Sequence, residues 1–557
     1  MVVFDNLQDK LEEIRTNSFY KPLLDDIKKC YDAETEQGVP VLSWKRFNIY
    51  FENGSRKEYE DDYFCRRTRL DFAVILYLVY NEQSYLDEIC DLIWQICGEI
   101  SWVLPAHLNA NPMNKYRAQI DLFAAETGQM LAEIWSLIGD KLPDKIGQLM
   151  RNEVKERIFD AYENGSFWWE RLKSNWAAVC AGSVGMAYMY LAPERFPSVQ
   201  DRIIQTMNSF LSGYGEDGCC TEGLSYWQYG FWFYLNFADM LYRFTEGEVD
   251  MLHGKKISNI ALLQQNMILR KGITVSFSDG SMDRSFSNIG LYSFLKHNYE
   301  GYIMPSFYHM SAGDRTKFSW LIRNLLWSVP EDYRSESGVV DCKAMKYYEN
   351  AQWYIVRREK YSFAAKVGHN QEEHNHNDIG SFIFADDSNQ LLADIGAMEY
   401  TKANFAPETR YSLLQNSSLG HSVPIIDGEG QRYGKEYHGT VLVVSEQEFT
   451  MEIQDAYDTD IRKITRSFQM CDNGIIMCDI FDDDKLAEHC ITERFVSVVK
   501  PELTEAGIRI GNAIVKAGGF TRITEEIIKD HAAQDFAVYL IDYSVSTHKF
   551  VMSVELI

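Results

Sequence analysis

The apolar period of this chain changes once, near residue 335, and that change sets the class of fold it can adopt. Before it, apolar residues recur every three to four positions, the repeat of an amphipathic helix. Leu7, Leu11 and Ile14 are followed by Leu23, Leu24 and Ile27 at that spacing. The pattern predicts two long helices over 66–104 and further helices over 118–138, 154–162, 176–191, 199–211, 226–244 and 257–269. Gly and Pro mark the joins, as in Gly139-Asp140, Asn164-Gly165 and Ala192-Pro193. Many antiparallel helices on short joins, without a strict sequence repeat, predict a layered or toroidal α/α array.

Beyond a polar, turn-rich stretch from Pro330 to Cys342, apolar residues alternate with polar ones, the period of a half-buried strand. Strands are expected at 353–356, 362–367, 381–384, 440–444, 475–480 and 537–541, with turn signals such as Asp472-Asn473-Gly474 between them. The expected fold is a helical, incomplete (α/α) toroid over 1–335, followed by an antiparallel β-sandwich over 336–557.

A length of 557 residues exceeds one ordinary core and fits two or three domains. The formal net charge of −26 excludes broad nucleic-acid or anionic-membrane binding, though not a local basic pocket for an anionic substrate. No 18-residue uncharged apolar stretch is present, which argues against a membrane-spanning helix. The acidic start, Met1-Val2-Val3-Phe4-Asp5, lacks the pattern of a secretory signal. Eleven cysteines without a C-x-x-C pair fit free thiols, so a cytoplasmic location is expected. Nothing in the sequence fixes an oligomeric state, and a homodimer stays open.

Three stretches carry candidate chemistry. The first runs from His369 to Gln431. Five of the twelve histidines lie between His369 and His438. His374 and His376 are two apart, a spacing that puts both on one face of an extended strand. His376, Asp394 and His421 offer two imidazoles and a carboxylate, a common zinc set with a fourth position left over. The spacing leaves open whether such an ion does chemistry or braces the loop. The second stretch is Gly218 to Gly230, where a Gly-rich turn enters a helix and Tyr226 and Tyr229 share a face. The third, Trp168 to Trp176, places indoles and basic residues beside Asn175, a composition suited to a sugar acid.

Taken together these residues resemble the heparinase II/III family of polysaccharide lyases. The resemblance rests on His374-Asn375-His376-Asn377-Asp378-Ile379-Gly380-Ser381-Phe382, Leu392-Ala393-Asp394-Ile395-Gly396, Tyr400, Arg410, Gly420-His421-Ser422, Ile426-Asp427-Gly428 and Gln431. In the helical half it rests on Asn175-Trp176, Asp217-Gly218 and Glu222-Gly223-Leu224-Ser225-Tyr226-Trp227. It implies β-elimination of a uronic-acid-containing polysaccharide or oligosaccharide, such as a glycosaminoglycan or alginate, in a cleft between the two halves. It implies a probable structural zinc, or another divalent ion, on His376, Asp394 and His421.

β-Elimination removes the proton on C5 of a uronate and expels the sugar linked at O4. The neighbouring carboxylate must be neutralised as charge builds, so donors aimed at it are needed. On this reading Asn175 supplies an amide donor. His374 serves as base or as neutraliser, and Tyr226 as base or acid. Trp176, Tyr229, Arg410 and Gln431 are expected to bind substrate, with Arg410 facing a sulfate or carboxylate and Gln431 at the cleft opening. Two other readings compete. A glycoside hydrolase needs two carboxylates flanking the bond, for which Asp217, Glu222 and Asp279 are available. A metal-stabilised glycan-binding protein needs neither.

Overall fold

The computed structural model of the chain describes residues 6–108, 113–282, 286–305, 307–312, 317–334, 344–531 and 533–557. The boundary expected at 335/336 lies outside the described residues. Helices dominate up to Leu326, and strands dominate from Met345 onward.

In the helical half, close approach of helices comes from small side chains. The helix Asn175–Leu191 carries Ala177, Ala178, Ala181, Gly182 and Gly185, and nearly all of it is buried. It packs against the helices Leu122–Ile138, Gln200–Leu211 and Leu224–Phe244. A Cβ on Gly230 would sit 3.1 Å from the Asn175 Cβ, so the glycine lets the starts of two site-bearing helices touch. The stretch expected as one helix over 257–269 instead breaks into Lys255–Ala261 and Leu263–Met267. The chain then turns extended, pairing Ile268–Arg270 with Ile273–Thr274.

The strap that follows, 273–280, inserts toward the β half. Gln390 Nε2 donates to Thr274 O at 2.8 Å, Ser276 Oγ donates to Asp394 O at 2.7 Å, and Ala397 N donates to Gly280 O at 3.0 Å.

The β half contains a five-stranded sheet (345–348, 353–357, 362–366, 382–385, 390–392), an eight-stranded sheet and a four-stranded sheet, all antiparallel. The five-stranded sheet is a shared wall. Its strands Trp353–Arg357, Ser362–Lys366 and Phe382–Ala385 are buried on both faces. Strand side chains alternate in direction, so one set enters each core. Trp353, Ile355, Ala364, Ile383 and Ala385 join the helical core. Tyr354, Val356, Phe363, Ala365, Phe382 and Phe384 join the sandwich core with Phe449, Phe468 and Met477. Burying each such aromatic or branched chain contributes about 1.5–3 kcal/mol, so the seam between the halves is a hydrophobic interface. At the outer sheet the strand expected at 475–480 runs as Gly474–Asp482 and keeps the half-buried alternation the sequence predicts.

Candidate active site

Three glycines set the site. Gly223 (φ 101°) precedes the helix carrying Tyr226, Gly280 follows Asp279 in the strap, and Gly396 (φ 62°) follows Asp394. A Cβ on Gly223 would lie 2.9 Å from Gly280 N, and one on Gly396 would lie 2.2 Å from Gly280 O. The strap backbone is thus clamped between the two, which carries Tyr226, Asp279 and Asp394 to one place.

Asp279 is the centre of the resulting network. Its Oδ1 lies 3.0 Å from His376 Nε2, and its Oδ2 lies 2.5 Å from His374 Nδ1 and 2.7 Å from Tyr400 Oη. Burial raises the Asp279 pKa, but the two imidazoles reverse this and hold it well below the ordinary carboxylate range. An ionised carboxylate only accepts hydrogen bonds, so both imidazoles and Tyr400 donate to it. His374 and Ser278 adopt left-handed backbone, with φ of 55° and 58°. Strain of that kind persists where the surroundings enforce it.

The extended strand expected at His374–His376 is instead a turn. The two imidazoles converge because both bind Asp279, not because they share a strand face.

His374 keeps its Nε2 toward the cleft, 3.7 Å from Glu222 Oε2. Burial lowers its pKa, and Asp279 more than offsets that, leaving it raised. The Tyr226 ring stacks on the His374 ring, with centroids 4.1 Å apart and planes at 25°. Tyr226 Oη lies 2.9 Å from Tyr400 Oη. The Tyr400 hydrogen is committed to Asp279, so Tyr226 donates to Tyr400. Burial and the Asp279 charge push the Tyr226 pKa well above 10, against the Tyr400 hydrogen bond, and keep the phenol protonated. Asn175, at the first position of its helix, is buried with its Oδ1 unbonded.

His376, Asp394 and His421 lie behind this face, fully buried, with one possible ligand atom from each within 4.8 Å of the others. Their second atoms fix the tautomers. His376 Nε2 donates to Asp279, and His421 Nε2 donates to Gln415 O at 2.9 Å. That leaves His376 Nδ1, His421 Nδ1 and Asp394 Oδ2 directed at one another without well-aligned hydrogen bonds, the His421–Asp394 pair being 3.2 Å apart. Such outer partners are what ligating histidines normally have, so the three residues fit a divalent cation. Burial lowers the His376 pKa, which favours the neutral, ligating form. Asp378 adds a fourth buried polar group. Its Oδ1 pairs with Lys366 Nζ at 2.6 Å, and its unbonded Oδ2 lies 4.0 Å from His421 Nδ1.

The remaining expected residues divide. Trp176 flanks Asn175 and packs against Trp168 and His107, with centroids 4.8 and 4.9 Å away. Tyr229 turns away from His374. Its hydroxyl bonds Glu126, and Lys317 Nζ sits 4.6 Å over its ring. A cavity of about 40 Å³ adjoins that cluster, lined in part by Asp71, Glu126 and Lys317. Arg410 donates to Asn404 O and Asn375 O at 2.8 and 2.9 Å, so its guanidinium braces the backbone beside His376.

Gln431 corrects the expectation that it frames the opening. It is buried, its Oε1 accepts from Ile379 N at 2.8 Å, and its Nε2 donates to Ile379 O at 2.7 Å. An amide with both ends engaged inside the sandwich has nothing left for a ligand. Asp217 accepts from Asn350 N at 2.8 Å and Cys219 N at 3.2 Å, which ties one hydrolase candidate to the backbone.

Sequence reasoning passed over Asp279 as a hub and Tyr400 as its partner. The one local signal was a Ser-Asp-Gly turn after an apolar run, at Val275 to Gly280.

Residues 341–510 match the sequence model of a family described as heparinase II/III-like, C-terminal. That stretch, under a third of the chain, is similar to the C-terminal domain of heparinase II/III-like proteins. Solved structures extend the likeness to the whole fold. A heparinase III structure aligns with 90% of this chain and 78% of its own at 12% identity, with a TM-score of 0.63. A mutant of the heparan sulfate lyase HepC from Pedobacter heparinus aligns with 99% of this chain and 91% of its own at 12% identity, TM-score 0.60. The chondroitin AC lyase of Streptomyces coelicolor A3, in complex with chondroitin sulphate, aligns over 99% and 82% at 10% identity, TM-score 0.59. No curated protein matches the sequence. At these identities the likeness establishes the fold, an (α/α) toroid leading into a β-sandwich. The matched stretch contributes His374, His376, Asp394, Tyr400 and His421, and the helical half contributes Asn175, Glu222, Tyr226 and Asp279.

Proposed function

We propose that the chain is a polysaccharide or oligosaccharide lyase that cleaves uronic-acid-containing glycans by β-elimination. The observation that carries this reading is the convergence of Tyr226 and His374, from two halves of the chain, beside one ionised carboxylate, Asp279, with Asn175 joined to them through Glu222. The proteins that share the fold support it, since they are named as heparinase, heparan sulfate lyase and chondroitin AC lyase.

In this mechanism Asn175 donates to the uronate carboxylate, where charge builds as C5 loses its proton. Removing one such donor typically lowers the rate about 10²–10³-fold. His374 accepts the C5 proton at Nε2. Its Nδ1–H is fixed on Asp279, which orients the ring and makes Nε2 the basic atom. Burial and the Asp279 charge hold Tyr226 protonated, and its hydrogen turns from Tyr400 to O4 of the departing sugar. The C5–H bond breaks, the C4–C5 double bond forms, and the C4–O bond is released. Trp176 and Trp168, inclined at 45° to each other, supply apolar rings beside Asn175 for a pyranose.

The ion we propose for His376, Asp394 and His421 is zinc, and its positive charge would fix the loop that carries His374. The substrate class is an acidic glycan: heparan sulfate, chondroitin, hyaluronan or alginate.

The product of β-elimination is a 4,5-unsaturated uronate that absorbs in the ultraviolet, whereas hydrolysis and binding produce no such chromophore. Incubation with a panel of those four glycans tests the reading. A rise in absorbance is expected with at least one, and a flat trace with all four refutes it.

A further inference from the structure

Glu222 is a carboxyl group beside His374 that the mechanism above leaves without a task. It sits in the turn just before Gly223 and the Tyr226 helix, with a side chain 9% exposed. Its Oε2 is buried and carries no hydrogen bond. That oxygen faces His374 Nε2 at 3.7 Å, the atom assigned to the C5 proton. The Asn175 backbone N–H supports the Glu222 carboxyl group, and the Asn175 Oδ1 is itself buried and unbonded. Glu222 thus links His374 and the start of the Asn175 helix.

Buried polar groups in folded proteins are hydrogen-bonded with few exceptions. A buried, unbonded carboxyl oxygen facing His374 Nε2 marks a place where a ligand completes the set.

The protonation of Glu222 follows from its surroundings. Burial pushes its pKa up, and the neighbouring Glu373 and Asp279 add to this. His374 and the Asn175 N–H oppose it, and the balance lies at about 7. Tyr214, Cys220 and Tyr226 also face the group, and all three stay neutral because burial raises them. A uronate carboxylate entering this space adds a further negative charge next to Glu222, which favours the acid form still more.

We propose that Glu222 binds substrate as a carboxylic acid, with its Oε2–H donating to the uronate carboxylate beside Asn175. This rests on the lyase reading for its substrate but concerns binding, and it assigns Glu222 to recognition of the acid group. An acid–carboxylate hydrogen bond neutralises the charge next to C5 without placing a cation there. It also makes affinity for an acidic sugar depend on a proton held by the protein.

Isothermal calorimetry at pH 8 tests it, in buffers of different ionisation enthalpy. The titrants are tetrasaccharides of hyaluronan, unsulfated chondroitin and alginate. The protein is the Tyr226→Phe variant, so that nothing turns over. Binding is expected to take up about one proton per ligand, and Tyr226→Phe/Glu222→Gln is expected to take up none. Equal uptake by the two proteins overturns the proposal, as does failure of all three titrants to bind.

Kinetics give a second arm. On the wild-type background Glu222→Gln keeps a donor at every pH, so kcat/KM should lose its decline above about pH 7. Glu222→Ala should lose roughly 10²-fold. An unchanged alkaline limb in Glu222→Gln, or full activity in Glu222→Ala, overturns the proposal. Binding with proton uptake but no ultraviolet-absorbing product from wild type would instead refute the lyase reading and leave this one standing.

Discussion

Tyr400 donates its hydroxyl hydrogen to Asp279 Oδ2 at 2.7 Å, and this one bond sets the direction of the polar chain that crosses the site. Tyr226 must then donate to Tyr400, and both imidazoles must donate to the same carboxylate. Asp279 thereby serves the buried His/Asp/His group and the cleft face together. It belongs to the helical half, while the groups it orients belong to the β half.

The Asp279→Asn variant tests that dual role. Asn keeps one acceptor oxygen but replaces the other with an amide N–H₂ that faces another donor. The His374 tautomer and the His376 orientation should both be lost. Metal affinity should fall about 10–100-fold, as it does when a ligating histidine loses its outer partner. With saturating metal, kcat should still fall by about 10² or more. Metal analysis and turnover at saturating metal separate the effects. Recovery of full turnover by added metal would restrict Asp279 to the metal side.

Tyr226→Phe should abolish turnover, by roughly 10²–10⁴-fold, while leaving substrate binding in place. Tyr400→Phe removes only the group that holds the Tyr226 hydrogen and should cost less. Rates for both variants, alongside calorimetric binding, check the order. Equal losses would mean that Tyr400 itself exchanges a proton with substrate.

The helical-to-sheet change, the short joins and the half-buried strands of the outer sheet were legible in the sequence, because each follows from local apolar period. The doubly buried strands Trp353–Arg357 and Ser362–Lys366 were expected at 353–356 and 362–367, but as half-buried ones. What a local reading could not show is that alternate residues there enter different cores. His376, Asp394 and His421 were found by residue type, and the structure brings them together. Asp279 was not found as a hub because it is 95 residues from His374, and nothing local links them. Tyr229 and Gln431 show the opposite failure. Tyr229 is three residues from Tyr226, yet its hydroxyl bonds Glu126. Gln431 closes the His-rich stretch, yet its amide is used on Ile379.

Metal loading should raise thermal stability. An ion bound only by the folded chain stabilises it by about 2.7 kcal/mol at a hundredfold excess over Kd. The Tm of metal-stripped protein should therefore rise on adding zinc, and His376→Ala and His421→Ala should lose both the rise and the bound metal. Thermal melts with elemental analysis provide the check. Unchanged zinc content in His376→Ala would remove it from the ligand set.

Gly396→Ala probes how the two halves are seated without altering any polar group. Gly396 has φ 62°, where a Cβ is strained, and an added Cβ would fall 2.2 Å from Gly280 O. The strap cannot yield freely, because Gly280 is pressed from the other side by Gly223 and its carbonyl holds Ala397 N at 3.0 Å. Two costs therefore add: about 1–3 kcal/mol for the backbone conformation and a shift of the strap. Any such shift moves Asp279 relative to His374, whose hydrogen bond is short. Misplacement of about 1 Å at a reacting centre can cost 10²-fold in rate. The variant should accordingly lose activity well beyond its loss of stability. Turnover measured at a temperature where circular dichroism shows the variant still folded is the test. Wild-type turnover in that folded protein would mean that the glycine clamp supports the fold but does not set the geometry of the site.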